Sequence, residues 1–224
     1  MPYQRFLTTL LFLATGLASS TPIECSAQVS APEYEARGNR LVHKAPGGYG
    51  VEVDSSLRYV GGERFRIRSA ADAEQHLFAQ SDADGHVLRL VWIQIESQLP
   101  GQSWRYSYPS PDRVRLGELE FIADARVYRS YGSTDPASDH AVMDRQLRDH
   151  GFSLPGPVMR LRMIYLPDSE RRRELMVIYA APMPASESAR IPDAGGEAAG
   201  WPAQLMKIKA GAARDVKVRL AARQ

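Results

Sequence analysis

EQHLFAQSDADGHVLRLVWIQIESQL, residues 74–99, is two apolar segments joined by a polar turn. Asp84-Gly85 supplies the backbone freedom that a tight antiparallel turn needs, so the pair reads as a β-hairpin. The second arm, His86–Gln98, is apolar on both sides. Side chains of an extended chain alternate with a period of two, which puts Val87, Val91, Ile93 and Ile95 on one face and Leu88, Leu90, Trp92, Gln94 and Glu96 on the other. A strand greasy on both faces belongs in the middle of a covered sheet. Trp92 and Ile93 are both expected inside, and only the second face turns polar, at Gln94 and Glu96.

Outward from this hairpin, strand-like segments separated by turn signals occupy Ser56–Val60, Glu63–Ile67, Trp104–Tyr108 and Glu118–Tyr131. No helical pattern interrupts them, which argues for antiparallel meanders and against βαβ units. Residues 138–152, SDHAVMDRQLRDHGF, change period: Ser138 can cap a helix, Val142, Met143, Leu147 and His150 recur at helical spacing, and Gly151 can end it. PVMRLRMIYL and RELMVIYAAPM then form a second hairpin around PDSERRR. The expected fold is α+β, with a single antiparallel sheet of roughly six to eight strands, strongly bent or barrel-like, against which the 138–150 helix and a C-terminal helical/strand segment pack.

The domain reading assigns residues 1–27 to a signal peptide, 28–48 to an extended lead-in, 49–183 to the α+β domain, 184–202 to a flexible loop or linker and 203–224 to a helix/strand packing on the domain. In the first segment Arg5 precedes an uncharged apolar run, Phe6–Ala18, too short to span a bilayer and followed by small residues. Cleavage after Ser20 or Ala27 satisfies the small-residue requirement, and the expected location is periplasmic or secreted. Cys25, the only cysteine, follows Pro22-Ile23-Glu24, which lacks the lipoprotein acylation pattern. No internal disulfide is available to the mature body, so packing must stabilise it.

The 44% hydrophobic and 24% charged residues are those of an ordinary globular chain. Net charge is +2, with acidic residues interleaved among the basic ones, which argues against a nucleic-acid partner. No second apolar stretch reaches membrane-spanning length. The sequence lacks a Gly-x-Ser-x-Gly elbow, a Walker loop, a Gly-x-Gly-x-x-Gly turn and His-Glu-x-x-His, so it implies no cofactor. Asp82 and Asp84 in SDADG offer hard oxygens, but the loop is too short for a calcium site, and no metal is expected. The five histidines, His43, His76, His86, His140 and His150, show no ligand pairing and read as surface or cap residues.

One constellation stands out. Gln94 and Glu96 share a strand face, Trp104, Tyr106 and Tyr108 form an alternating aromatic set, and Arg160 and Arg162 share a face of the second hairpin. Glu174 faces the arginines across that hairpin if its turn is centred near Glu170 and Arg171. Gln94, Glu96, Arg162 and Glu174 are therefore the candidate ligand-binding residues of a concave sheet face, against the simpler reading of a half-buried salt-bridge network. The expected function is a non-catalytic periplasmic or secreted module holding a small ligand or an envelope partner. The alternatives are an exported hydrolase or isomerase with Glu96 or Glu174 as general base, and a purely structural or interaction protein.

Overall fold

The structure, a computed structural model, describes residues 31–44, 48–136, 138–193 and 195–220. The signal-peptide reading of residues 1–27, with Cys25 and both cleavage sites, lies outside the described residues. The described residues are mostly β, with 48% of them in strands. In order, the elements are β1 (Tyr34–Arg37), β2 (Arg40–His43), β3 (Tyr49–Val53), β4 (Arg58–Ile67), β5 (Ala71–Ser81), β6 (Val87–Gln98), β7 (Arg113–Leu116) and β8 (Leu119–Tyr128). Then come α1 (Asp139–Asp149), β9 (Val158–Tyr165), β10 (Arg173–Pro182), β11 (Gly196–Glu197), α2 (Pro202–Asp215) and β12 (Val216–Leu220), with 3-10 turns at Ala185–Arg190 and Ala198–Gly200.

The strands make two antiparallel sheets, not one, and neither closes into a barrel. The large sheet runs β11-β8-β9-β10-β6-β5-β4 with β7 paired to β8, and the small one runs β1-β2-β3-β12. The expectation of a single strongly bent or barrel-like sheet is corrected here, for a physical reason. Leu41, Val51, Val53, Val216 and Val218 of the small sheet need a face to bury, and they find it with Phe78, Val91, Ile93, Phe121, Leu161 and Val177 of the large one. Sheet-on-sheet packing thus takes the place of closure. Strands β1 and β2 come from the segment read as a lead-in. Ile191, Ala198 and Trp201, from the segment read as a loop or linker, are buried in the same core.

The opposite face of the large sheet carries the second core. There Met143 and Leu147 of α1 cover Leu77, Leu90, Trp92, Ile164 and Ile178. Ser138 caps the helix by accepting from the Ala141 N–H at 3.2 Å, and Gly151 leaves it at φ +77°. Strand β6 is central, as its two greasy faces require: Trp92 and Ile93 are both 0% exposed, one in each core. A register shift between Gln80 and Ser81 turns Val87 toward Leu90 and Trp92, away from the face its alternation with Val91 predicts. The terminal segment does contain a helix, with Pro202 at its first turn, followed by an edge strand on β3.

Two local expectations change. The segments read as Ser56–Val60 and Glu63–Ile67 merge into one strand, β4, which starts at Arg58, has a bulge between Tyr59 and Gly61 and runs on through Gly61-Gly62. Trp104–Tyr108 is not a strand. The segment 101–112 contains Pro109 and Pro111, which have no N–H to give a ladder. It crosses the α1 face of the sheet as a strap and holds the backbone by a bond from Tyr106 N–H to the Arg171 carbonyl at 3.1 Å.

Candidate functional site

The even-numbered residues of β6 form a hydrogen-bonded chain along one face. Trp92 Nε1–H donates to Gln94 Oε1 at 2.9 Å, and Gln94 Nε2 donates to Glu96 Oε1 at 2.5 Å. These bonds set the orientation of the amide. From the strap, the Tyr106 hydroxyl donates to Glu96 Oε2 at 3.0 Å, and the Tyr108 hydroxyl donates to Glu174 Oε2. Glu174 lies directly opposite Glu96 in the β6–β10 ladder, so two carboxylates meet on one face under a lid of two tyrosines.

Burial raises the pKa of both acids, and their mutual repulsion raises Glu174 further, to about 8. Glu96 accepts from two donors and Glu174 from one. Donors to a carboxylate favour its ionised form, so a proton shared by the pair resides on Glu174. Burial and the neighbouring carboxylates push both tyrosine hydroxyls far above their ordinary value, which keeps them as donors. Asp139, at the start of α1, would be raised by its burial, but bonds from His140 hold it below its usual range.

The structure places Gln94, Glu96 and Glu174 together and Arg162 on the same face, at a distance along the strands. The β9–β10 turn is centred where the sequence suggests, yet this register sets Arg162 opposite Ile178, four residues from Glu174. The acid that faces the arginines is Asp124 on β8. Arg162 Nε and Nη2 donate to its Oδ2 at 2.8 and 2.6 Å, and Arg160 Nη2 donates to Oδ1 at 3.1 Å. Arg162 hydrogen-bonds neither acid of the pair; its guanidinium carbon lies 5.4 Å from the ring centroid of Tyr108, the donor to Glu174. Helix α1 and the strap fill the concave face: Gln94 is 0%, Glu96 8% and Glu174 2% exposed. An ordered polar core stands where an open pocket was expected.

A ligand-sized space exists on the other side of the sheet. Helix α2 stands off the ends of β6, β9 and β10 and leaves a cleft of about 540 Å³, within the usual range for small-molecule sites. Its walls include Met159, Tyr179, Pro182, Met183 and Ile208, and Arg89, Lys207 and Arg214 stand around them. Tyr179 donates to Asp215 Oδ2 at 2.7 Å, and Asp215 also accepts from Arg89 and Arg214. Lys207 has no ion-pair partner among the described residues. Residues 203, 204, 207, 208, 211 and 214 of α2 all line the cleft, a helical stripe that a sequence reading takes for core periodicity.

The sequence reading also missed a buried Tyr59–His76–Glu74 chain. The Tyr59 hydroxyl is 3.0 Å from His76 Nδ1, and His76 Nε2 is 2.9 Å from Glu74 Oε1. Glu74 further accepts the backbone N–H groups of Glu33 and Tyr34, at 2.6 and 2.9 Å, which ties β1 to the large sheet. His76 is therefore an interior residue, 4% exposed, and not a surface or cap histidine. At the β5–β6 turn, ligand atoms of Asp82, Asp84 and His86 lie within 4.8 Å of one another, all exposed, and Asp82 Oδ1 accepts the N–H groups of Asp84 and His86. Among the described residues no helix is long and apolar enough to cross a membrane. No protein-family model, curated protein or solved structure matches the chain.

Proposed function

We propose that this chain is an exported, non-catalytic binding protein that holds a small amphipathic ligand with an acidic head in the cleft between α2 and the large sheet. The cleft is the observation that carries the reading: apolar walls with a few cationic groups suit an acyl or alkyl tail ending in a carboxylate. Lys207 supplies a charge that no acid among the described residues pairs with. Export rests on the sequence of residues 1–27, which has the order of a signal peptide.

Titration of the full chain with dodecanoate, followed by calorimetry, tests the reading. Saturable binding is expected, weaker by at least about tenfold for Lys207→Glu, which reverses the charge at the head group. Dodecanol, with the same tail and no charge, should bind less tightly than dodecanoate. Absence of saturable binding, or equal binding by Lys207→Glu, overturns the proposal.

A second reading, a hydrolase or isomerase, draws on one observation: Glu174 is held near pKa 8 beside Glu96, a pairing of carboxylates that acid–base enzymes use. Their enclosure beneath Tyr106 and Tyr108 favours a structural role for them. Turnover of an ester or glycoside panel that is lost in Glu174→Gln, with the fold intact, would reverse this preference.

A further inference from the structure

Strands β8 and β9 bring three arginines to one patch at the uncovered end of the α1 face. Arg126 and Arg160 are direct partners in the ladder, and Asp124 is the partner of Arg162. Like charges set opposite on one sheet face repel. Asp124 is the one carboxylate that hydrogen-bonds this group among the described residues, and it is occupied by Arg160 and Arg162. Glu197 is 4.0 Å from Arg126 Nε, beyond hydrogen-bonding distance, and largely in solvent.

A cleft of about 310 Å³ lies over these residues, with the Tyr128 ring as one wall, 5.3 Å from the Arg160 guanidinium carbon. Arg160 is 7% exposed. The Nε atoms of Arg160 and Arg126 are both buried without a hydrogen-bond partner. A buried N–H left unpaired is costly, and more so on a charged group. The complement of such a site is an anion with several acceptor oxygens. A carboxylate offers two oxygens, whereas a phosphate offers three or more to the forked donors that guanidinium groups present.

We propose that the cleft of Arg126, Arg160 and Arg162 binds a small oxyanion of the phosphate class, free or as the end group of a larger ligand. The site is on the opposite face of the large sheet from the α2 cleft and does not depend on it. Asp124 is its internal competitor, the carboxylate that holds two of the arginines when the cleft is empty.

The test is calorimetric titration of the full chain with inorganic phosphate, phenyl phosphate and acetate. Saturable phosphate binding is expected, tighter than acetate, and at least about tenfold weaker for Arg126→Ala. Arg126 is partly exposed, so this variant should keep the fold, checked by circular dichroism. Asp124→Asn should tighten phosphate binding by removing the competing charge. Tighter binding of phenyl phosphate assigns the site to the end group of a larger ligand that stacks toward Tyr128, and the reverse order assigns it to the free ion. Acetate binding as tightly as phosphate, phosphate binding unchanged in Arg126→Ala, or no saturable binding overturns the proposal.

Discussion

Glu96 and Glu174 are direct cross-strand partners between β6 and β10, and their hydrogen-bond donors are uncharged: Gln94 and Tyr106 for one, Tyr108 for the other. Arg162 attracts the pair from farther along the sheet, and Asp139 of α1 repels it. Two like charges in a buried site cannot both ionise cheaply. The folded state therefore holds a proton on Glu174 up to a pH near 8, whereas an unfolded chain releases it near its ordinary value of 4.5.

The sign of the pH dependence follows. Between these two values the folded state binds more protons than the unfolded state at this site, so the stability that Glu174 contributes is full below about pH 4.5 and is lost as pH rises toward 8. The loss should be on the order of a few kcal/mol. Glu174→Gln keeps the shape and cannot ionise. Urea denaturation at pH 5 and pH 8 should show a smaller loss for this variant than for the parent chain, and an equal slope in both would rule out the buried proton.

Gln75 sits on β5 directly opposite Gln94, 0% exposed, with neither its amide nitrogen nor its amide oxygen paired. Burial without compensating bonds costs about 1–3 kcal/mol. Gln75→Met, of similar length and apolar, is expected to stabilise the fold by roughly 1–2 kcal/mol. For a chain of this size that corresponds to a rise in Tm of about 2–8 °C in a thermal melt. A fall in Tm would mean that an ordered water satisfies the amide.

What the sequence makes legible is local. The two-faced greasiness of β6 locates a central strand, Asp84-Gly85 locates its hairpin, and Ser138 with Gly151 bounds α1, because each signal is confined to a few adjacent residues. Gln94 and Glu96 share a face by strand period alone, and Glu174 joins them through the registers of neighbouring strands. The partner of Arg162 was not legible in this way. Asp124 reaches it because β8 pairs with β9 across the whole of α1, and strand order is not written in hairpin spacing. The small sheet is hidden for the same reason, since β12 closes on β3 from the far end of the chain. One missed signal was present: Pro109 and Pro111 demote the Trp104–Tyr108 segment from strand to strap.

Trp92 is 0% exposed between β5, β10 and α1, with its ring 5.1 Å from that of His140. Trp92→Ala removes the largest fully buried side chain and the donor that orients Gln94, and should cost about 3–5 kcal/mol. Trp104→Ala, at a partly exposed position of the strap, should lie much closer to the parent chain. Chemical denaturation of the two variants gives the comparison, and similar losses for both would contradict the placement of β6 at the centre.

Gly62 stands where a Cβ would run into the His76 ring and the Tyr59 hydroxyl. Gly62 is the direct ladder partner of His76, and a residue without a side chain there leaves room for the Tyr59–His76–Glu74 chain. Gly62→Ala should displace the imidazole, weaken its bond to Glu74 and loosen the grip of that carboxylate on the N–H groups of Glu33 and Tyr34. A loss of about 1–3 kcal/mol is expected from the overpacking. Hydrogen exchange should speed up at Tyr34 before it does so at Ile93, since the tether of β1 is affected and the central strand is not. In a His76→Ala background the same glycine substitution meets only the far end of the flexible Tyr59 side chain and should cost clearly less. Equal costs in the two backgrounds would show that Gly62 is required for the bulge itself and not for the histidine.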